Sequence, residues 1–101
     1  MTVPLLINAP VLAAASATEG AGAATMGGTM AGAAGPVTAV LPPGAEDASA
    51  AAAAAFVARG AVTEAMLAQL TVVRTLFAQT IAASGVGYAA VDAINEAALA
   101  L

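Results

Sequence analysis

The stretch Leu41-Pro42-Pro43-Gly44 divides a chain of 101 residues into two helix-forming arms. Two consecutive prolines cannot lie inside an α-helix, and each proline biases the residue before it towards extended backbone. Gly35-Pro36 is expected to end the preceding arm in the same way. The sequence therefore predicts a single helical hairpin with a first arm at about residues 10–34, a linker at 35–42, a second arm at about 43–84 and a tail at 85–101.

The second arm carries a periodic set of mostly apolar residues, spaced alternately by three, four and seven positions. In chain order they are Phe56, Thr63, Met66, Leu70, Val73, Phe77 and Ser84. This spacing is typical of the a/d seam of a left-handed helix bundle. We call this set the Phe56 seam and expect its residues from Phe56 to Phe77 to form a partner interface.

Further apolar residues of the second arm lie outside the Phe56 seam. They are Val57, Val62, Leu67, Val72, Leu76 and Ile81. One antiparallel neighbour cannot cover more than one face of a helix, so this arm favours a partner protein. The alternative is that these are ordinary surface alanines and valines.

The first arm has a similar period, but it is rich in glycine. The periodic positions are Leu12, Glu19, Ala23, Met26, Met30 and Ala33, and the glycines are Gly20, Gly22, Gly27, Gly28 and Gly32. Each interior glycine costs a helix about 0.5–1 kcal/mol relative to alanine, so this arm is marginal in isolation. The glycines are expected to allow a neighbouring backbone to approach closely.

Composition limits both the core and the function. Hydrophobic residues make up 61% of the chain but aromatic residues only 3%, so most apolar residues are alanines that bury little area. The net charge is −4, and Arg59 and Arg74 are the two basic residues, which excludes electrostatic binding to nucleic acid or to an anionic membrane surface. An all-α hairpin of this size and composition needs a partner to complete its core.

The sequence offers no machinery for catalysis. Without His or Cys there is no Ser-His-Asp or Cys-His nucleophile, and a zinc site is not expected. Neither a nucleophile elbow nor a phosphate-binding loop is present. Glu46 and Asp47 are expected in the first turn of a helix, where the macrodipole favours acids, rather than in a cation site. We therefore predict no enzyme activity, no catalytic or metal residues and no cofactor.

Tyr88 and Asp92 are four positions apart, which places them on one face of a helix. Taken alone, this pair is best explained by a tyrosine that anchors the end of the bundle beside a nearby carboxylate. Gly85 and Gly87 are expected to weaken the helix just before it, leaving this turn accessible.

Three segments together resemble the PE family, whose members are exported by mycobacterial type VII (ESX) secretion systems. They are Val11–Ser16, Thr38–Glu46 and the pair Tyr88 and Asp92, which resembles the family's YxxxD/E export signal after the second long helix. The Pro-Glu dipeptide that names the family is missing, because Ala9-Pro10 stands in its place. Any role of that dipeptide therefore does not carry over. The chain is expected to be a bare PE domain without a long extension.

The resemblance implies a helical hairpin that pairs with a PPE protein, while a chaperone of the secretion system contacts mainly the PPE partner. Export would take the heterodimer from the cytoplasm to the cell envelope, the cell surface or beyond. Within this family Tyr88 and Asp92 are expected to act as the export signal.

Two alternatives remain. One is a self-pairing hairpin similar to the WxG-type proteins, although this chain has no Trp. The other is a membrane-active or pore-contributing envelope protein, which the mean hydropathy of +0.95 suggests.

Overall fold

The computed structural model describes residues 6–100, and these form two α-helices and no strand. Helix α1 spans Ala9–Thr38 and helix α2 spans Asp47–Leu99. Residues 39–46 connect them and contain the two consecutive prolines. The predicted all-α class is confirmed, and two helices joined by one short loop are consistent with the predicted hairpin.

Helix α1 is longer than predicted at both ends. At its start, the Asn8 side-chain oxygen accepts a hydrogen bond from the Val11 amide at 3.1 Å, which caps the helix. At its end, the helix continues through Pro36. The proline lies in the last turn, where its missing N–H removes one hydrogen bond but leaves the Ala39 amide bonded to the Gly35 carbonyl at 3.0 Å. The expected break at Gly35-Pro36 is therefore absent.

Helix α2 begins later than the expected residue 43. Glu46 caps it: its carbonyl accepts from the Ala50 amide at 3.2 Å, and its carboxylate accepts a hydrogen bond from the Ser49 hydroxyl. This hydroxyl, together with a backbone hydrogen bond, lowers the pKa of the Glu46 carboxyl. Asp47 lies in the first turn as expected. Pro43 thus belongs to the connection, since the helix begins at Asp47.

The chain divides into two compact units, each built from a segment of both helices. Among the described residues, the termini unit contains residues 6–22 and 74–100, and the loop unit contains residues 23–73. In the termini unit the Ser16 hydroxyl donates to the Ala78 carbonyl at 2.7 Å, and the Arg74 Nε donates to Glu19 at 2.9 Å. The α2 residue number falls from 78 to 74 as the α1 residue number rises from 16 to 19, so these two segments are antiparallel.

Small residues make the closest helix contacts in both units. A Cβ atom placed on Gly60 would lie 2.7 Å from the Val37 carbonyl oxygen in the loop unit. In the termini unit, a Cβ atom on Gly85 would lie 3.3 Å from the Leu12 Cβ. The buried apolar side chains among residues 6–100 are those of Ala23, Ala53 and Ala78. Close backbone approach therefore occurs at the small residues, and no large side chain among residues 6–100 is fully buried.

The glycines that permit this approach are not the ones expected from the sequence. Among the five glycines singled out in the first arm, Gly22 alone has a neighbour within 4 Å of an added Cβ, and that neighbour is the flexible Arg74 guanidinium. The backbone contact instead falls on Gly60 of α2. The six periodic positions of the first arm, by contrast, are all buried or half-buried. The periodicity identified the packed side of α1, but the glycine content did not.

Candidate partner interface and export signal

The Phe56 seam is exposed and makes no core within the chain. Phe56, Met66, Leu70, Val73 and Phe77 retain between 53% and 67% of their accessible surface. Thr63 is exposed as well, and so is Ser84 beyond them. In the loop unit, the α2 residues buried or half-buried between positions 53 and 71 are Ala53, Val57, Gly60, Glu64, Leu67 and Thr71. The seam is displaced by one position from this packed side, so its large side chains are available to another molecule.

The apolar residues outside the seam divide into two groups. Val57, Leu67 and Ile81 are half-buried and belong to the packed side of α2. Val62, Val72 and Leu76 are exposed by more than half. Val72 and Val73 also line a shallow depression of about 460 Å³ in the loop unit, together with Ala68 and Gln69. Helix α2 therefore presents apolar residues on more than one exposed side.

Exposed large apolar side chains are concentrated on α2. Only Val11 among them belongs to α1, while Leu6, Val40 and Leu41 flank the helices and all the others lie on α2. Large exposed apolar patches on a small chain mark protein or membrane interaction sites. Most of the exposed large apolar side chains among residues 6–100 therefore belong to one helix.

Tyr88 and Asp92 lie on consecutive turns of α2, which continues without interruption to Leu99. Tyr88 is 45% exposed and Asp92 is exposed. The expected weakening at Gly85 and Gly87 is absent, because Gly85 is buried against Leu12 while both glycines keep helical geometry. The pair is accessible because its face is open to solvent, not because the helix is loosened, and it lies within α2 rather than after it.

The termini unit also contains an apolar groove, whose lining does not include Tyr88 or Asp92. It has a volume of about 410 Å³ and is lined mainly by alanines with Pro10, Ser16, Gly85 and Val86. Ala9 and Pro10, which stand at the sequence position of the family's Pro-Glu dipeptide, both line this groove. Among the described residues, no ionisable side chain lines the groove.

The Glu19–Arg74 ion pair is the polar contact that sequence reasoning missed. Arg74 donates through Nε to Glu19 at 2.9 Å, and both side chains are partly exposed. Its guanidinium lies over Gly22, where any Cβ would collide with it. Glu19 is one of the periodic positions of the first arm, and the scarcity of basic residues is the one sequence signal that could pair it with Arg74.

Within residues 6–100, no cluster of three or more metal-binding side chains occurs. The Glu46 and Asp47 carboxylates lie at the helix start, and that of Glu46 is engaged by Ser49.

Sequence comparison now places this geometry in a family. The profile of the PE family matches residues 5–95. The chain belongs to the PE family. It is 39% identical over 86 residues to "PE family protein PE13" of Mycobacterium tuberculosis, covering 85% of this chain and 86% of that protein. It is also 40% identical over 95 residues to "PE-PGRS family protein PE_PGRS8" of the same organism, covering 93% of this chain but 54% of that relative. No solved structure matches the chain significantly.

Among residues 6–100 of this PE chain, one helix is long and apolar enough to cross a membrane by length and composition. It is α2, whose most apolar window has a hydropathy of 1.3 and is 11% buried. The large residues of the Phe56 seam on the same helix are also more than half exposed, so hydropathy does not separate a membrane surface from a protein partner.

Proposed function

We propose that this PE chain is a non-enzymatic pairing protein, which forms a heterodimeric helical bundle with a PPE protein. The observation that carries the proposal is the contrast between the core and the surface. Three alanines form the buried apolar side chains of residues 6–100, whereas the Phe56 seam leaves its large side chains more than half exposed. Burial of a large apolar side chain contributes about 1.5–3 kcal/mol, so covering this seam is the main stabilisation still accessible to the chain.

We further propose that the heterodimer is exported by a type VII (ESX) secretion system to the cell envelope, the cell surface or the medium. Family membership supports this route, and Tyr88 and Asp92 supply the candidate signal. The Tyr88 ring and the Asp92 carboxylate lie on consecutive turns of one exposed helix face, so the secretion machinery could bind both without unfolding the bundle. A chaperone of the same system would contact mainly the PPE partner.

The pairing is tested by co-expression with a PPE protein and a single charge on the seam. Leu70→Asp should abolish co-purification, because an unpaired carboxylate buried in an apolar interface costs about 3 kcal/mol or more, roughly a hundredfold in affinity. Ala50→Asp is the matched control, since Ala50 is exposed on the same helix outside the seam. Equal recovery of the partner with both variants would refute the proposed interface.

A second measurement addresses the alternatives. Expressed alone, the chain should aggregate or lack stable structure, since its seam is uncovered. A monomeric chain that melts cooperatively would contradict obligate pairing, and a defined homodimer would favour the self-pairing hairpin. Helix formation in liposomes but not with the PPE protein would favour the membrane-active alternative, for which the low burial of α2 is the supporting observation.

A further inference from the structure

Phe56 and Thr63 are seven positions apart in the Phe56 seam, and the position between them on the same helix face is occupied by a charged residue. Arg59 lies three positions after Phe56 and four before Thr63, which is the spacing that places all three on one face of α2. It is exposed. From Phe56 to Val73 the other residues of this face are Thr63, Met66 and Leu70, so Arg59 is its single charge.

No carboxylate within the described chain pairs with Arg59. The positions three and four residues away on α2, where a helical ion pair forms, hold Ala55, Phe56, Val62 and Thr63. Glu64 is five residues on and belongs to the half-buried packed side. The other arginine, Arg74, forms the ion pair with Glu19 in the termini unit. Arg59 is thus the basic side chain left without an acid in residues 6–100.

A partner helix that covers Phe56 and Met66 must also pass over Arg59, because Arg59 lies between them in the register. An unpaired guanidinium removed from water in an interface is costly, whereas a carboxylate opposite it forms a bidentate, charge-assisted pair. The planar fork of arginine also fixes direction and register, which an apolar seam alone specifies weakly.

We propose that the partner's helix carries an Asp or Glu opposite Arg59, flanked by apolar residues that receive Phe56 and Met66, and that this ion pair sets the register of the heterodimer. The proposal rests on the proposed pairing through the Phe56 seam. A shift of the partner by one heptad would move its acid about 10 Å along α2, away from Arg59 and against an apolar side chain. Partners without an acid at this position are discriminated against for the same reason.

The test uses the heterodimer formed with the PPE protein that co-purifies with the wild-type chain. Arg59→Glu should weaken the complex about 30-fold or more, and Arg59→Met should also weaken it, because the partner's acid is left unpaired. Replacing each Asp and Glu of the partner's interface helix with Arg, in turn, should identify one position that restores binding to Arg59→Glu. Ala61→Glu is the control, an added acid at an exposed position two residues away and off this face.

Two results would overturn the ion pair. Wild-type affinity of Arg59→Met would mean that the arginine stem only covers the partner while its charge stays in water. Failure of every partner replacement to rescue Arg59→Glu would mean that no acid faces Arg59. Leu70→Asp distinguishes failure of the ion pair from failure of the proposed function. If Leu70→Asp abolishes pairing while the Arg59 variants bind normally, only the ion pair is refuted. If Leu70→Asp also binds normally, pairing through the Phe56 seam is refuted.

Discussion

Replacement of Gly60 by alanine tests whether close backbone approach holds the loop unit together. The added Cβ would lie 2.7 Å from the Val37 carbonyl oxygen and 3.4 Å from its carbon. The obstacle is backbone, so it cannot be relieved by rotating a side chain, and overpacking of this kind costs about 1–3 kcal/mol. Alanine returns about 0.5–1 kcal/mol through its higher helix propensity. The expected net effect is a destabilisation of roughly 1–2 kcal/mol.

Gly87→Ala is the matched control in the same helix. Nothing lies within 4 Å of a Cβ atom at Gly87, so the substitution should stabilise α2 by about 0.5–1 kcal/mol. Gly60→Ala should lower the free energy of unfolding and Gly87→Ala should raise it, so the two variants should differ by about 2 kcal/mol. Urea unfolding of the purified heterodimer, followed by circular dichroism at one fixed protomer concentration, measures the difference. Gly60→Ala as stable as Gly87→Ala would refute close packing at Val37.

Two further predictions concern the surface. Tyr88→Ala and Asp92→Ala should leave the heterodimer intact but retain it inside the cell, whereas Asp92→Glu, which keeps the carboxylate, should be exported; comparing secreted and intracellular amounts with the melting temperature distinguishes a signal from a structural anchor. Normal export of Tyr88→Ala would end the signal hypothesis. Ser49→Ala should raise the pKa of the Glu46 carboxyl towards its ordinary value, since the hydroxyl that stabilises the carboxylate is lost. The stability linked to this lowered pKa is present at neutral pH and is lost as the pH falls through the pKa of the folded state. NMR titration of the Glu46 carboxyl in the wild-type chain and in Ser49→Ala would measure the change in pKa.

The sequence predicted the helical class and the exposed seam because large side chains produce a strong periodic signal. Phe56, Met66 and Leu70 differ sharply from the alanines around them, so their spacing can be read directly. The packed side of α2 carries a weaker signal, because its larger residues Val57, Leu67 and Ile81 are half-buried and its fully buried positions are Ala53, Gly60, Ala78 and Gly85. Small residues at these positions resemble the low-complexity background of an alanine-rich chain. Their role depends on the distance to α1, which no single-sequence pattern contains.

The helix boundaries were less predictable for a different reason. Proline and glycine were interpreted as breakers, but their effect depends on what surrounds them. Pro36 is tolerated because it falls in the last turn of α1, and Gly85 is helical because it packs against Leu12. Asn8 and Glu46 set the two helix starts through cap contacts that a periodicity argument does not weigh.

A one-residue offset between the exposed and packed sides of α2 gives neighbouring positions different roles. Phe77 is 55% exposed, whereas the next residue, Ala78, is 6% exposed and offers its carbonyl to the Ser16 hydroxyl. A large residue at position 78 would push the two segments of the termini unit apart, while a charge at position 77 would leave that packing intact and remove a partner contact. Adjacent residues of one helix therefore differ in their surroundings: Ala78 packs within the termini unit, whereas Phe77 belongs to the proposed partner interface. The internal contact at position 78 uses a small side chain, so the neighbouring Phe77 stays more than half exposed.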